Sequence, residues 1–218
     1  MLGKFIVFEG VEGCGKTTQL QKVQEWLAEL SFLKARPVVV TRQPGGTDLG
    51  VQLRQLLLNP GSQETIQNRA ELLLYAADRA QHVEGFIVPN LAMGAVVLCD
   101  RYTDSTVAYQ GYGRCLDLEM IEVLNRLATN GLESDLTVWL DVDVVVGLGR
   151  AKKRGVSDRI EQANLEFHQR VQYGYTELAK VHCDRIVRVD AGGSVDEVFG
   201  EVKKVLNKCF LSWGLLGD

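Results

Sequence analysis

What this chain has little of narrows it first. No apolar run approaches the roughly 20 residues that a membrane-spanning helix needs. Met1 leads straight into a strand-like segment rather than a charged, signal-like start, so a cytoplasmic protein is expected. Positive charge is not in excess: 24 Lys and Arg against 28 Asp and Glu leave a net charge of -4. A dedicated duplex binder shows a basic face instead, so neither nucleic acid nor a membrane is expected as a partner. The five cysteines, Cys14, Cys99, Cys115, Cys183 and Cys209, are scattered, with no C-x-x-C pair and no Cys/His ligand spacing. That excludes a cysteine-built metal site and points to reduced thiols, Cys99 as a buried hydrophobe and Cys14 as a small loop filler. Internal repeats, low-complexity linkers and the N-K-x-D tetrapeptide of guanine-specific switches are all missing.

What is present is a regular alternation. At 218 residues and 46% hydrophobic, the chain is long enough to bury one sizeable core. Five short apolar runs, Lys4 to Glu9, Pro37 to Arg42, Ala95 to Asp100, Leu136 to Asp141 and Arg185 to Asp190, read as buried strands. Helical patterns lie between them: Gly15 to about Leu33, Glu64 to Pro89, Asp117 to Thr129, one from near Val144 that resumes through Val181, and Ser194 to about Cys209. Strands alternating with helices predict an α/β fold, a five-stranded parallel sheet flanked by helices on both faces. One domain is expected over residues 1–210, with no element assigned to 211–218. Ligands of such sheets gather at the carboxyl ends of the strands, which puts Glu9, Arg42, Asp100 and Asp141 near one rim.

The first strand runs into Gly10-Val11-Glu12-Gly13-Cys14-Gly15-Lys16-Thr17 and then a helical pattern, matching G-x-x-x-x-G-K-[ST] in strand-loop-helix context. Glycines let backbone N–H groups wrap phosphate oxygens, and the following helix presents its positive end. Lys16 is expected at the β and γ phosphates of a bound ATP, and Thr17 at Mg²⁺. The ATP site would run from Gly10 through Val11, Glu12, Gly13, Cys14, Gly15, Lys16 and Thr17 to Thr18. This loop alone does not separate a kinase from a motor or a binding module.

Three further segments decide. Thr41-Arg42-Gln43-Pro44-Gly45-Gly46-Thr47 follows the second strand, with Arg54 soon after. Tyr75 to His82 lies in the long helix, and Asp100-Arg101-Tyr102 to Gly111 follows the third strand. With the phosphate loop, these ordered segments resemble thymidylate kinase from Phe5 to about Glu161. The resemblance implies the P-loop nucleoside monophosphate kinase fold and transfer from ATP to dTMP, giving dTDP and ADP in dTTP biosynthesis. It also implies a homodimer formed through a helical face. By the same likeness Arg54 and Arg101 hold the monophosphate and Arg79 reaches the thymine carbonyl. Tyr75, usually Phe in the family, stacks on thymine; Ser105, Thr106 and Gln110 belong to the acceptor pocket; Tyr109 packs on the sugar; Glu12 lies near its 3′-hydroxyl. Taken alone, any one arginine could be a solvated surface group; Arg101, directly after a buried strand and Asp100, is read as functional, and Arg42 stays open between the two readings.

Carboxylates beside phosphates need a metal or a donor. Asp100 at a strand end suits Mg²⁺, and Glu9 is a candidate for its outer shell or for a strand-end charge paired with an arginine. Gln43 stands where the family more commonly carries Glu and receives no role; His82 is placed on the helix surface and His168 in the last long helix. The basic run Arg150 to Glu161, with the hinge-capable Gly155, resembles the family's lid, expected at about 147–161. The phosphate loop carries no arginine and so resembles those thymidylate kinases whose lid supplies the cation; the resemblance implies Arg154 at the transferring group, with Arg150 and Arg159 holding the donor nucleotide. Lys16, Asp100, Arg101 and Arg154 form the expected catalytic set. A P-loop kinase for another acceptor, and a nucleotide-binding regulatory module without turnover, remain as alternatives.

Overall fold

The computed structural model describes residues 3–30, 36–59, 65–153, 155 and 158–215. From the amino terminus, β1 (Lys4–Glu9) enters the glycine loop and α1 (Lys16–Glu29), followed by β2 (Val38–Arg42), α2 (Asp48–Leu58) and α3 (Asn68–His82). A π-helical turn, Val83–Ile87, joins α3 to α4 (Val88–Ala92), and β3 (Val96–Asp100) follows. Next come α5 (Thr103–Thr106), which continues as a π-helix over Val107–Gly113, then α6 (Leu118–Thr129) and β4 (Leu136–Asp141). The chain closes with α7 (Val144–Lys152), α8 (Leu165–Val181), β5 (Ile186–Asp190) and α9 (Val195–Ser212).

The five strands form one parallel sheet in the order β2-β3-β1-β4-β5, as the apolar runs require. Central strands are buried on both faces and read as unbroken apolar runs; the edge strands β2 and β5 are half exposed. Alternate residues of β1 feed two cores. Ile6 and Phe8 pack with Leu20, Val23 and Leu27 of α1 and Val202 and Leu206 of α9, whereas Phe5 and Val7 pack with Val83, Ile87 and Tyr102 on the other face. Register aligns Arg42 with Asp100 at the carboxyl rim and places Phe8 beside Asp100. The functional rim is therefore set by strand pairing.

Several boundaries differ from the pattern. The first helix stops at Glu29, and the long helix begins at Asn68 and runs past Pro89 to Ala92. It survives Pro89 because the π-turn has already broken the i→i−4 ladder there. α2, capped by Thr47, and α5 with its π-helical extension were not anticipated. Leu49, Val51 and Leu56 of α2 face outward, which blurs the amphipathic period. The unassigned tail is helical through Ser212, and Trp213 packs edge-on against Phe210 at 5.8 Å. No helix among the described residues is long and apolar enough to cross a membrane.

Candidate active site

The glycine loop is locked by close backbone approach. Gly13 has φ of 72°, and a Cβ there would lie 2.0 Å from the Gly147 carbonyl oxygen of α7. Only glycine fits at that contact. Lys16, 7% exposed, donates to the carbonyls of Gly10 and Val11 at 3.0 and 3.2 Å and to Cys14 Sγ at 3.3 Å. Residues Glu12 to Thr18 line a cavity of about 560 Å³ together with Asp100, Arg42 and Arg150. Asp100 Oδ1 is buried with no hydrogen-bond partner, in the same cavity as Thr17. Arg150 donates to the carbonyls of Ala191 and Gly192 at 2.9 and 3.1 Å and so ties α7 to the far rim of this cavity.

The turn after β3 carries the central arginine. Arg101 has φ of 70°, a left-handed conformation uncommon for a side chain of this size and characteristic of functional sites. Glu9, wholly buried, holds the turn in place. It accepts from the backbone N–H of Tyr102 and Ser105 at 2.8 and 3.1 Å, and from the Ser105 and Tyr175 hydroxyls at 2.6 and 2.7 Å. Burial pushes the Glu9 carboxyl above its ordinary range, against the pull of the Arg101 charge. Arg101 donates to the Gly10 carbonyl, Ser105 Oγ and Tyr175 Oη at 2.9, 3.2 and 3.2 Å, and forms an ion pair with Glu12 at 2.6 Å. Glu12 also accepts from the Tyr109 hydroxyl at 2.9 Å. Burial works against ionisation of Glu12, but Arg101, Lys16 and the Tyr109 bond outweigh it and hold the carboxyl at about 2.

A narrower pocket of about 80 Å³ opens beside this turn, lined by Tyr75, Arg79, Thr106, Tyr109 and Gln110 and also by Arg54 and Arg101. Arg54 donates to the Pro44 carbonyl at 3.0 Å, and burial and the neighbouring Arg42 charge both disfavour its charged form. That unfavourable crowding of cations suits an anion between them. Gln110 donates to Glu71 Oε1 at 2.9 Å, so its own carbonyl oxygen is the group left for the pocket. Glu71, fully buried, also pairs with Arg114 at 3.3 Å and with Arg159. The two pockets share Glu12, Gln43, Arg54, Arg101 and Asp158 as a common wall.

Most of the expected residues therefore converge, but three do not stand as read. Glu9 lines neither cavity; its carboxylate is consumed by the Arg101 turn and does not reach the space shared by Thr17 and Asp100. Arg159 turns away from the glycine loop and bonds to the Leu57 carbonyl at 2.8 Å and to Glu71, on the side of the narrow pocket. His82 is not on a helix surface: it is wholly buried and within hydrogen-bond distance of Thr41 and of Gln43, which lines both cavities. Arg154 lies outside the described residues. Sequence reading missed Tyr175, whose hydroxyl meets Glu9, Arg101 and Ser105 from α8, far along the chain and in no motif. Arg42 proves to line the larger cavity, and Asp158 lines both.

Comparison with known proteins agrees with this architecture. A family model described as thymidylate kinase matches residues 8–202. The thymidylate kinase of Trichodesmium erythraeum is 55% identical, covering 98% of this chain and 99% of that protein. That of Nostoc punctiforme is 56% identical over 94% and 96%. A crystal structure of thymidylate kinase from Ehrlichia chaffeensis superposes with a TM-score of 0.77 at 34% identity, covering 94% of this chain and all of that one. The chain belongs to the thymidylate kinase family and is a nucleoside monophosphate kinase.

Proposed function

We propose that the chain transfers the γ-phosphoryl group of ATP to dTMP, releasing ADP and dTDP, with Mg²⁺ bound at the phosphates. The observation that carries this reading is the common wall of the two cavities: a triphosphate along Lys16 and a monophosphate between Arg54 and Arg101 would face each other across Glu12. Direct in-line transfer then needs positioning and charge stabilisation rather than a protein nucleophile. Lys16 moves from its carbonyl partners to the phosphates, and Arg101, held by Glu9 and Tyr175, lies between donor and acceptor. The orphaned Asp100 oxygen and the Thr17 hydroxyl are hard oxygen ligands that fit Mg²⁺, which takes one or two protein oxygens and fills its sphere with phosphates and water. Asp100 and Thr17 would hold the ion there, and it would supply neutralisation of charge on the phosphate oxygens.

On the acceptor side, Tyr75 supplies a flat face for the base, Arg79 a donor for a ring carbonyl, and Thr106 and Gln110 polar groups for its edge. Ser105 supports Arg101 at the monophosphate, and Tyr109 faces the sugar beside Glu12. We assign residues 1–210 to one kinase domain and about 147–161 to a lid, with Arg150 on the donor side and Arg154 as its catalytic cation. Cytoplasmic dTTP synthesis and a homodimer complete the reading. For the dimer the support is an apolar face on α3 and α6, where Leu73, Val123 and Leu127 are 59, 62 and 78% exposed.

Coupled ADP release with a panel of acceptors tests the assignment. dTMP is expected to be the best acceptor. dUMP should be slower by about 10- to 200-fold, because one methyl in an apolar pocket contributes about 1–3 kcal/mol. Ribothymidine monophosphate should be worse still, because Tyr109 crowds the 2′ position. Faster turnover of another monophosphate would reassign the acceptor, and no acceptor-dependent ADP release would leave only a binding module.

A further inference from the structure

Arg79 is held by a buried polar chain whose other members, Gln43 and His82, have no part in the reaction. Arg79, Gln43 and His82 are 2, 4 and 0% exposed. A guanidinium has donors and no acceptor. Arg79 Nε donates to Gln43 Oε1 at 2.9 Å, one terminal nitrogen to Asn125 Oδ1 at 2.7 Å, and the other to the Tyr102 carbonyl at 3.0 Å. Because Arg79 cannot accept, Gln43 must turn its oxygen toward it, and the amide NH₂ then faces His82 Nδ1 at 3.0 Å. Nδ1 is thereby the acceptor, the ring proton sits on Nε2, and Nε2 donates to Thr41 Oγ1 at 2.6 Å. The direction of every bond follows from Arg79 outward.

The imidazole has no freedom to leave this chain. A Cβ on Gly46 would lie 2.3 Å from Nε2, so backbone sits directly against the ring, and Phe86 stacks on it at 5.6 Å. Burial, with the Arg79 charge, lowers the His82 pKa to about 4, which leaves the ring neutral and Nδ1 free to accept at neutral pH. Gln43 and Arg79 both line the narrow pocket.

We propose that Gln43 is a positioning residue for acceptor-base recognition: it sets the plane of the Arg79 guanidinium at the pocket floor and is itself set by His82 in its Nε2–H form. The proposal rests on the reading that Arg79 meets the base of the acceptor. Glutamine is suited because it accepts from the arginine with one end and donates to the imidazole with the other. A carboxylate at 43 would still accept from Arg79 but would draw a proton to Nδ1. A methionine would do neither.

Two variants separate these effects. Gln43→Met should raise the KM for dTMP about tenfold, with kcat and the KM for ATP within about threefold, since lost positioning weakens acceptor binding alone. Gln43→Glu should restore the dTMP KM to within about threefold of the parent. Long-range ¹⁵N–¹H NMR at pH 7 should show His82 as Nε2–H in the parent and with a proton on Nδ1 in Gln43→Glu, the signals being assigned by their loss in His82→Gln. If Gln43→Met does not fold, Gln43→Ala replaces it in the kinetic arm. An unchanged dTMP KM in the apolar variant, or the same His82 tautomer in parent and Gln43→Glu, overturns the proposal. Arg79→Lys then locates the error. If it too leaves the dTMP KM unchanged, base recognition by Arg79 is what fails; a raised KM keeps that recognition and removes only Gln43.

Discussion

Glu9→Gln is the most informative single change, because one carboxylate gathers four donors, three from the segment that carries Arg101 and the Tyr175 hydroxyl from α8. The two backbone N–H groups of Tyr102 and Ser105 cannot reverse, so the amide will turn its oxygen to them. Its NH₂ then faces the Ser105 and Tyr175 hydroxyls, which rotate to accept and leave their own protons without the acceptor they had. A buried donor that loses its acceptor costs about 1–3 kcal/mol. The two hydroxyls lie 3.0 Å apart and share some of the loss. Removing a charge that burial already disfavours returns part of the rest. A net destabilisation of about 2–4 kcal/mol follows, and with it a fall in Tm of about 5–15 °C for a chain of this size. Arg101, which donates to both hydroxyls, loses its orientation as well, so the dTMP KM should rise more than the ATP KM. Thermal melts monitored by circular dichroism, with initial rates at varied dTMP and ATP, measure both effects. A Tm within 2 °C of the parent (about 0.5–1 kcal/mol) together with a dTMP KM within about twofold would refute the role assigned to Glu9.

Arg159→Ala breaks the link between the segment after α7 and Glu71, while Gln110 and Arg114 keep their bonds to that carboxylate. We expect a three- to tenfold rise in dTMP KM, about 1 kcal/mol, and an unchanged ATP KM; a rise in the ATP KM alone would restore the donor-side role expected from the sequence. Glu12 titrates at about 2 when folded against an ordinary 4.5, so its ionic contribution is complete above pH 4.5 and is lost as the pH falls toward 2. The difference in urea midpoint between the parent and Glu12→Gln should shrink over that interval, and a difference independent of pH would contradict the Arg101 pairing. Arg154→Ala should depress kcat by about 10³ with little change in dTMP affinity, because an arginine finger acts mainly in the transition state. Turnover within threefold of the parent, under about 1 kcal/mol, would place the lid cation elsewhere.

The sequence by itself determined the strands and the phosphate loop. Those features are local: an apolar run such as Lys4 to Glu9 is legible because a buried parallel strand needs nothing else, and G-x-x-x-x-G-K-T because the chemistry is contained in eight consecutive residues. Arg101, Thr106, Tyr109 and Gln110 lie within one short segment after β3 and were singled out through the resemblance to thymidylate kinase; the fold brings them to one pocket. What only the tertiary structure decided was partnership between distant residues. Glu9 stood open between a metal-side carboxylate and a strand-end charge paired with an arginine until Tyr175, 166 positions away, was brought against it by the packing of α8 on the sheet. Arg159 looked like a donor-side cation until the turn before α8 directed it to Glu71, and His82 looked like a surface group until Thr41 and Gln43 closed over it. A charged or polar side chain has no direction in a one-dimensional pattern. Its role is settled by whichever opposite charge, donor or acceptor the fold buries beside it, because an unpaired polar group in the interior costs more than any local propensity can offset.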